Sequence, residues 1–284
     1  HQFAADGFHP DQLFERDSIN AKIEQRQAME STNESSVITG PLAGKIAVVI
    51  GAGRGIGRAT ALTLASSGAR VIVAARTASQ LESVVAEIEG RDGQAKAYPL
   101  DVTQGADVEA FASELRESLG RVDILVNSAG TAFIAPLETT TEVDWDRVID
   151  TNLKGTYLCI HAMLDLLRAS EGALVINIAS KVGLTGHGMV TAYTAAKAGV
   201  IGFSRALAQE LSAENIRVVA ICPGPVDTPM RWEATPKMDP KLVISTETVA
   251  ETILFLVTSS GRAVTGEIVL EAIAYDESLV QLDR

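Results

Sequence analysis

The chain has 284 residues, 46% of them hydrophobic and 21% charged, enough apolar material for one large α/β domain with a sizeable core. Its net charge of -12 repels phosphate backbones and anionic lipid, which argues against nucleic-acid and membrane-surface binding. Cys159 and Cys222 each sit in an apolar run and read as reduced core thiols of a cytoplasmic protein; no apolar run reaches the roughly 20 residues of a membrane helix.

Residues 1–43 stand apart as an N-terminal extension to a single domain at 44–284. They are polar, and their acids outnumber Arg16, Lys22 and Arg26, which makes a poor mitochondrial transit peptide. Asp17-Ser18 can cap a short helix over 19–29 that docks through Phe3, Phe8, Leu13 and Phe14; the alternative is a mobile tail.

From residue 45 the pattern alternates. IAVVI (46–50) is a strand buried on both faces, followed by a glycine-rich turn and a helix over 56–67. A strand at 70–75 and a helix at 78–89 come next, then a strand at 95–99 and a helix at 106–119. The fourth strand is DILVN (123–127), and a long helical stretch with an irregularity covers 142–169. ALVINIA (173–179) is the fifth strand, 191–212 a long helix, and IRVVAICP (216–223) the sixth strand. After a short irregular segment come a helix at 246–258 and a seventh strand at 266–272. Strands separated by helices pair in parallel through right-handed crossovers, so the fold class is α/β: a doubly wound, mostly parallel sheet with helices on both faces. Ligands of such sheets bind beyond the carboxyl ends of the strands.

The turn after the first strand reads Gly51-Ala-Gly-Arg54-Gly55-Ile56-Gly57. It fails the common G-x-G-x-x-G dinucleotide pattern, because Ile56 stands at the last glycine, but fits G-x-x-x-G-x-G. Glycines there let the backbone approach a pyrophosphate, which the following helix meets with its N-terminal amides. The second strand ends Ala74-Ala75-Arg76-Thr77, without the acid that would hold the ribose hydroxyl of NAD. Arg76 and Arg54 can instead pair with a 2′-phosphate, favouring NADP(H); the alternative is two surface charges. Asp101-Val102 can meet an adenine amino group, or Asp101 can simply cap a turn. Asn127-Ser-Ala129-Gly130 offers small residues for a cofactor to lie against.

Tyr193-Thr-Ala-Ala-Lys197 places a phenol and an ammonium one turn apart on one helix face. A cation near a phenol favours the phenolate, which suits tyrosine to acid/base work near neutrality. Ser180, just past the fifth strand, can hydrogen-bond a substrate oxygen. Asn152 sits mid-helix against its propensity and reads either as functional or as bonded to a helix irregularity. Four scattered histidines show no metal-ligand spacing, so no metal is expected.

Taken together, GAGRGIG (51–57), DV (101–102), NSAG (127–130), Asn152, Ser180, YTAAK (193–197) and PGPVDT (223–228) resemble the short-chain dehydrogenase/reductase family over about residues 44–272. The resemblance implies a seven-stranded Rossmann sheet and a tetrad of Asn152, Ser180, Tyr193 and Lys197. In it Tyr193 is the acid, Ser180 the orienting donor and Lys197 the ribose ligand that tunes Tyr193. Asn152 holds a water in a proton relay. Pro223, Gly224, Val226 and Thr228 match the segment that holds the nicotinamide carboxamide. Members often form homo-oligomers, tetramers or dimers, here through 142–169 and 191–212.

Three positions depart from the family pattern: Ile50 replaces the usual Thr, Ser128 replaces the second Asn of NNAG, and LEAIAYDE (270–277) lacks the usual Asp-Gly-Gly. The substrate side is thinner. Phe133, Leu184, His187, Met189 and Trp232 are candidate lining residues, with His187 also readable as a loop histidine, and no arginine stands out as a carboxylate clamp. The expected activity is NADPH-dependent reduction of a ketone, aldehyde or 3-oxoacyl group to the alcohol. An alcohol, sugar or steroid dehydrogenase running toward oxidation is the alternative, and a non-catalytic NADP-binding regulator would not need the whole tetrad.

Overall fold

A computed structural model describes residues 39–259 and 266–273 of the chain. The helix expected at 19–29 and most of the extension lie outside the described residues. Within them the elements run β1 (Ile46–Ile50), α1 (Gly55–Ser66), β2 (Arg70–Ala75), α2 (Ala78–Glu89), β3 (Gln94–Pro99), α3 (Gly105–Ser118) and β4 (Ile124–Asn127). There follow α4 (Glu142–Ile149), a π-helical turn (Asp150–Lys154), α5 (Gly155–Ala162), α6 (Leu164–Arg168) and β5 (Leu174–Ile178). The chain continues through α7 (Val182–Thr185), α8 (Thr191–Glu210), β6 (Arg217–Pro223), α9 (Pro229–Ala234), α10 (Thr246–Thr258) and β7 (Gly266–Leu270).

The seven strands form one sheet in the order β3-β2-β1-β4-β5-β6-β7, and every pairing is parallel. Each strand alternates its side chains between two cores, because successive residues of a strand point to opposite faces. Ala47 and Val49 of β1 join Leu64, Leu81 and Ile253 from α1, α2 and α10. Val48 and Ile50 join Phe111, Met163 and Leu207 from the opposite layer. Two covered faces explain why β1 is buried at every position and carries no polar residue. The winding reverses between β1 and β4, whose carboxyl ends, Ile50 and Asn127, lie side by side.

The opposite end of these strands is tied by a buried carboxylate. Asp123, 4% exposed, accepts hydrogen bonds from the Ile46 backbone N–H and the Ser170 hydroxyl, each at 2.8 Å, and from Lys45 at 3.2 Å. Burial alone would push its carboxyl up; these donors together hold it below the usual carboxylate range. Leu42, 2% exposed, also belongs to the core, and its N–H donates to the Ser67 carbonyl at 2.9 Å. The packed domain therefore reaches upstream of residue 44.

Two stretches differ from the sequence expectation. The helical run 142–169 is three helices, interrupted by the π turn and by a break at Met163. The segment after β6, expected to be irregular, contains α9, started by Thr228 as cap and Pro229 in its first turn. Thr-Pro is a helix-start signal, which six residues of mixed hydrophobicity masked.

Candidate active site

A cavity of about 500 Å³ opens at the carboxyl ends of the strands, at the reversal between β1 and β4. Its floor is the glycine turn. Gly51 (φ 80°) and Gly55 (φ 56°) occupy the left-handed region. A methyl on Gly51 would stand 2.5 Å from the Ala129 nitrogen, so the turn can lie on the segment after β4 only as glycine. Gly51, Arg54, Gly55 and Ile56 line the cavity. Gly57 does not; a methyl there would stand 2.2 Å from the Gly51 carbonyl, so this glycine lets α1 pack against the turn.

Arg76 follows β2 and lines the cavity from an exposed position. Arg54 leans the other way: its Nη1 pairs with Glu233 of α9 at 3.3 Å, both partners largely exposed. Asp101 and Val102 line the wall after β3, and Asp101 Oδ1 also caps its own turn, accepting from the Thr103 N–H at 3.0 Å and the Thr103 hydroxyl at 2.8 Å. Ala129 and Gly130 line the cavity, whereas Asn127 does not. Asn127 is buried at the end of β4, where its Nδ2 donates to Asn177 Oδ1 at 2.9 Å. Pro223, Gly224, Val226 and Thr228 line the far side, with the Gly224 N–H held by the Leu270 carbonyl at 2.7 Å.

Ser180, Tyr193 and Lys197 meet at one end of this cavity. The Ser180 hydroxyl donates a long bond to the Pro223 carbonyl at 3.5 Å and lies near enough to the Tyr193 phenol to favour its ionised form. Burial pushes the phenol up; the Arg231 charge and the nearby Ser180 hydroxyl oppose that. Lys197, 4% exposed, donates to the Ile178 carbonyl at 2.7 Å and lies 5.5 Å from the centre of the Tyr193 ring. Burial lowers its ammonium to about 8. Lys197 thus lies beside Tyr193 as the helical spacing expected, and Arg231, which the sequence did not single out, adds a second positive charge felt at the phenol.

Asn152 does not line the cavity but stands directly behind it, in the π turn. Its Nδ2 donates to the carbonyls of Val148 at 2.8 Å and Thr131 at 2.7 Å, so its bond to the helix irregularity is real. Its Oδ1 is buried with no protein partner. A methyl on Gly130 would stand 2.8 Å from this oxygen and 3.7 Å from Lys197 Nζ. The absent side chain of Gly130 thus leaves a passage between a lone amide oxygen and a buried ammonium.

The substrate-side candidates divide. His187 lines the main cavity, its Nδ1 2.8 Å from the Gly188 carbonyl. Phe133 lines a smaller cavity of about 230 Å³ beside it, with Met230 and Glu233. Leu184, Met189 and Trp232 line neither, and Trp232 Nε1 donates to Asp227 at 2.6 Å. The sequence missed Arg231 of α9, which lines the main cavity. A cation three residues past the Thr228 cap was the only local signal. Among the described residues, no cluster of His, Cys, Asp or Glu could hold a metal ion, and no helix is long and apolar enough to cross a membrane.

Comparison with known proteins agrees with this geometry. The short chain dehydrogenase family model matches residues 45–239. A 3-oxoacyl-[acyl-carrier-protein] reductase of Thermotoga maritima is 37% identical over 237 residues, 80% of this chain and 96% of that protein. D-threitol dehydrogenase of Mycolicibacterium smegmatis is 37% identical over 193 residues, 68% of this chain and 74% of that protein. The crystal structure of a metagenomic short-chain oxidoreductase in complex with NADP is similar at 33% identity and a TM-score of 0.72, covering 81% of this chain and 97% of the other. A dehydrogenase/reductase from Sinorhizobium meliloti 1021 superposes with a TM-score of 0.75 at 32% identity, covering 84% and 97%. With its parallel Rossmann sheet and the cavity at the strand reversal, the chain belongs to the short-chain dehydrogenase/reductase family and is an oxidoreductase acting on the CH–OH/C=O pair.

Proposed function

We propose that the protein is an NADPH-dependent reductase of a ketone, aldehyde or 3-oxoacyl group. The observation that carries this reading is the gathering of Ser180, Tyr193 and buried Lys197, its Nζ 5.5 Å from the Tyr193 ring centre, in one cavity whose floor is a glycine turn. The residues fit a dinucleotide. The turn is open only because Gly51 and Gly55 lack side chains, and the orphaned Asn152 Oδ1 is placed to bond a water. When bound, NADPH supplies the hydride for the carbonyl carbon. Tyr193 gives its phenolic proton to the carbonyl oxygen, and Ser180 donates a hydrogen bond to the same atom as negative charge develops there. Lys197 holds a positive charge near the phenolate left behind. Asn152 anchors a water through which Tyr193 regains a proton by way of Lys197.

Preference for the phosphorylated cofactor rests on Arg76, on the missing acid after β2 and on Arg54, and the NADP-bound relative is consistent with it. Arg54 must leave Glu233 to reach a phosphate. An exposed pair of that kind contributes only about 0–1 kcal/mol, so the exchange costs little. The remaining cofactor-side residues, Gly51, Gly55, Ile56, Asp101, Val102, Ala129, Gly130, Pro223, Gly224, Val226 and Thr228, form its walls. We assign the protein to a homo-oligomer, because Val143 of α4 and Tyr157 of α5 present apolar surface on the helices that the family uses for assembly.

The similarity to D-threitol dehydrogenase favours a second reading, oxidation of a polyol by the same residues in reverse. The deciding experiment follows NADPH and NADH absorbance against ketones, aldehydes, 3-oxoacyl thioesters and, with the oxidised cofactors, polyols. Turnover with NADPH on a carbonyl that is lost in Tyr193→Phe supports the proposal. Turnover only on polyols, or only with NADH, overturns it.

A further inference from the structure

Arg54 sits between two glycines that touch different parts of the fold. A methyl on Gly53 would stand 3.6 Å from the Ala75 side chain, at the end of β2 and one residue before Arg76. A methyl on Gly55 would stand 3.2 Å from the side chain of Thr228, the cap of α9. One flank of the turn therefore meets the Arg76 end of the cavity, and the other meets α9. Arg54 lines both the main cavity and the smaller one, and so stands where the two adjoin.

Its guanidinium is turned to the α9 side. The Arg54 Nη1 donates to Glu233 Oε1 at 3.3 Å, a bond that spans 179 residues of sequence. Glu233 lines the smaller cavity and not the main one, so its carboxylate meets Arg54 from outside the space assigned to the cofactor. The two side chains are 51% and 66% exposed, so packing locks neither and the pair is free to exchange partners. A 2′-phosphate is the stronger partner. It carries close to two negative charges, and a planar fork meets it through two parallel bonds, whereas the bond to Glu233 uses one nitrogen.

We infer that Glu233 is an internal competitor for the cofactor's 2′-phosphate, a specificity-determining residue that weakens the binding of NADPH and of its oxidised form and leaves NADH untouched. The inference rests on the reading that Arg54 and Arg76 hold that phosphate. Arg54 exchanges Glu233 for the phosphate when NADPH binds, and the tie between the glycine turn and α9 opens. With NADH, which has a hydroxyl in that place, the Arg54–Glu233 pair stays closed. Glu233 itself acts through Arg54 alone.

The test needs no turnover: NADPH and NADH are titrated calorimetrically into the native protein, Glu233→Gln, Arg54→Gln and the double variant. Glu233→Gln should tighten NADPH by roughly 2- to 5-fold, the scale of one exposed ion pair, and leave the Kd for NADH unchanged. In the Arg54→Gln background, Glu233→Gln should change neither Kd, because the two residues act as one unit. Three results overturn the inference while the NADPH reading stands. Glu233→Gln binds NADPH no more tightly than the native protein; it tightens both cofactors equally, as a general loss of negative charge would; or its gain for NADPH persists without Arg54. A native protein that binds NADPH no more tightly than NADH overturns the NADPH reading and this inference with it.

Discussion

Asn177 Nδ2 donates to Ser204 Oγ at 2.9 Å in the core, joining β5 to α8 seven residues beyond Lys197. The next residue of β5, Ile178, takes the Lys197 ammonium through its carbonyl at 2.7 Å. Consecutive residues of one strand thus grip one helix at two points, two turns apart. Asn177 Oδ1 also accepts from Asn127, so β4 joins the same chain of bonds. Ser180 lies just beyond this strand and Tyr193 on this helix, and the double grip sets their register.

Ser204→Ala leaves the Asn177 amide with a buried, unpaired donor. We expect a loss of about 1–3 kcal/mol in chemical denaturation, the usual cost of such a group. Because the register of Tyr193 loosens, kcat should fall several-fold with the KM for NADPH unchanged. A stability loss with native kcat would leave the network a purely structural role.

Tyr193→Phe removes the proposed proton donor and keeps the ring. The expected loss in kcat is about 10²–10⁴-fold, the range for a positioned acid. NADPH affinity, read by fluorescence titration, should stay close to native. Retained turnover would show that another group supplies the proton.

Lys197 stands at about 8 in the folded protein, pushed down by burial, against 10.5 for an ordinary lysine. Between those values the unfolded chain binds more protons than the folded one, so folding stability rises with pH through that window. Below about pH 8 the full cost of the buried charge is present. Lys197→Met should abolish activity, remove that slope and stabilise the protein near pH 7 by about 1–3 kcal/mol, since a tenfold change in proton affinity is worth about 1.4 kcal/mol and the bond to Ile178 is lost. Melting temperatures of both proteins from pH 7 to 10.5 check this.

Asp123 acts in the opposite sense and at the opposite end of the sheet. Its carboxyl is held below the usual value, so the stability it contributes is present above about pH 4 and lost as pH falls through its folded value. Asp123→Asn should cost about 3 kcal/mol and flatten the acid limb of the stability profile. Kinetic constants at neutral pH should not change, because the residue directly precedes the strand whose far end meets the cavity.

Arg76→Ala tests the cofactor assignment. Loss of a phosphate-binding guanidinium should raise the KM for NADPH by roughly 10- to 100-fold and leave NADH unaffected. An equal change for both cofactors would place Arg76 elsewhere.

Much of the site was legible in the sequence, for local reasons. Buried strands read as unbroken apolar runs, and a residue just after such a run must lie at the carboxyl end of the sheet. Ser180 and the glycine turn were located in this way. Tyr193 and Lys197 were paired by helical spacing alone. The π turn at Asp150–Lys154 was visible only as a misplaced asparagine, because its cause, the Asn152 bonds to Val148 and Thr131, includes a loop 21 residues away.

The sequence by itself determined the alternation of strands and helices, the family and the positions of the Tyr193–Lys197 and glycine-turn motifs, all properties of short windows with a fixed period. Only the tertiary structure decided which charges face one another. It set Arg54 against Glu233, 179 residues apart, buried Lys197 against the β5 backbone, and put Arg231 of α9 in the lining of the same cavity as Tyr193. Electrostatic partners depend on distance through space and on exclusion of water, and neither is written in the spacing of residues along a chain.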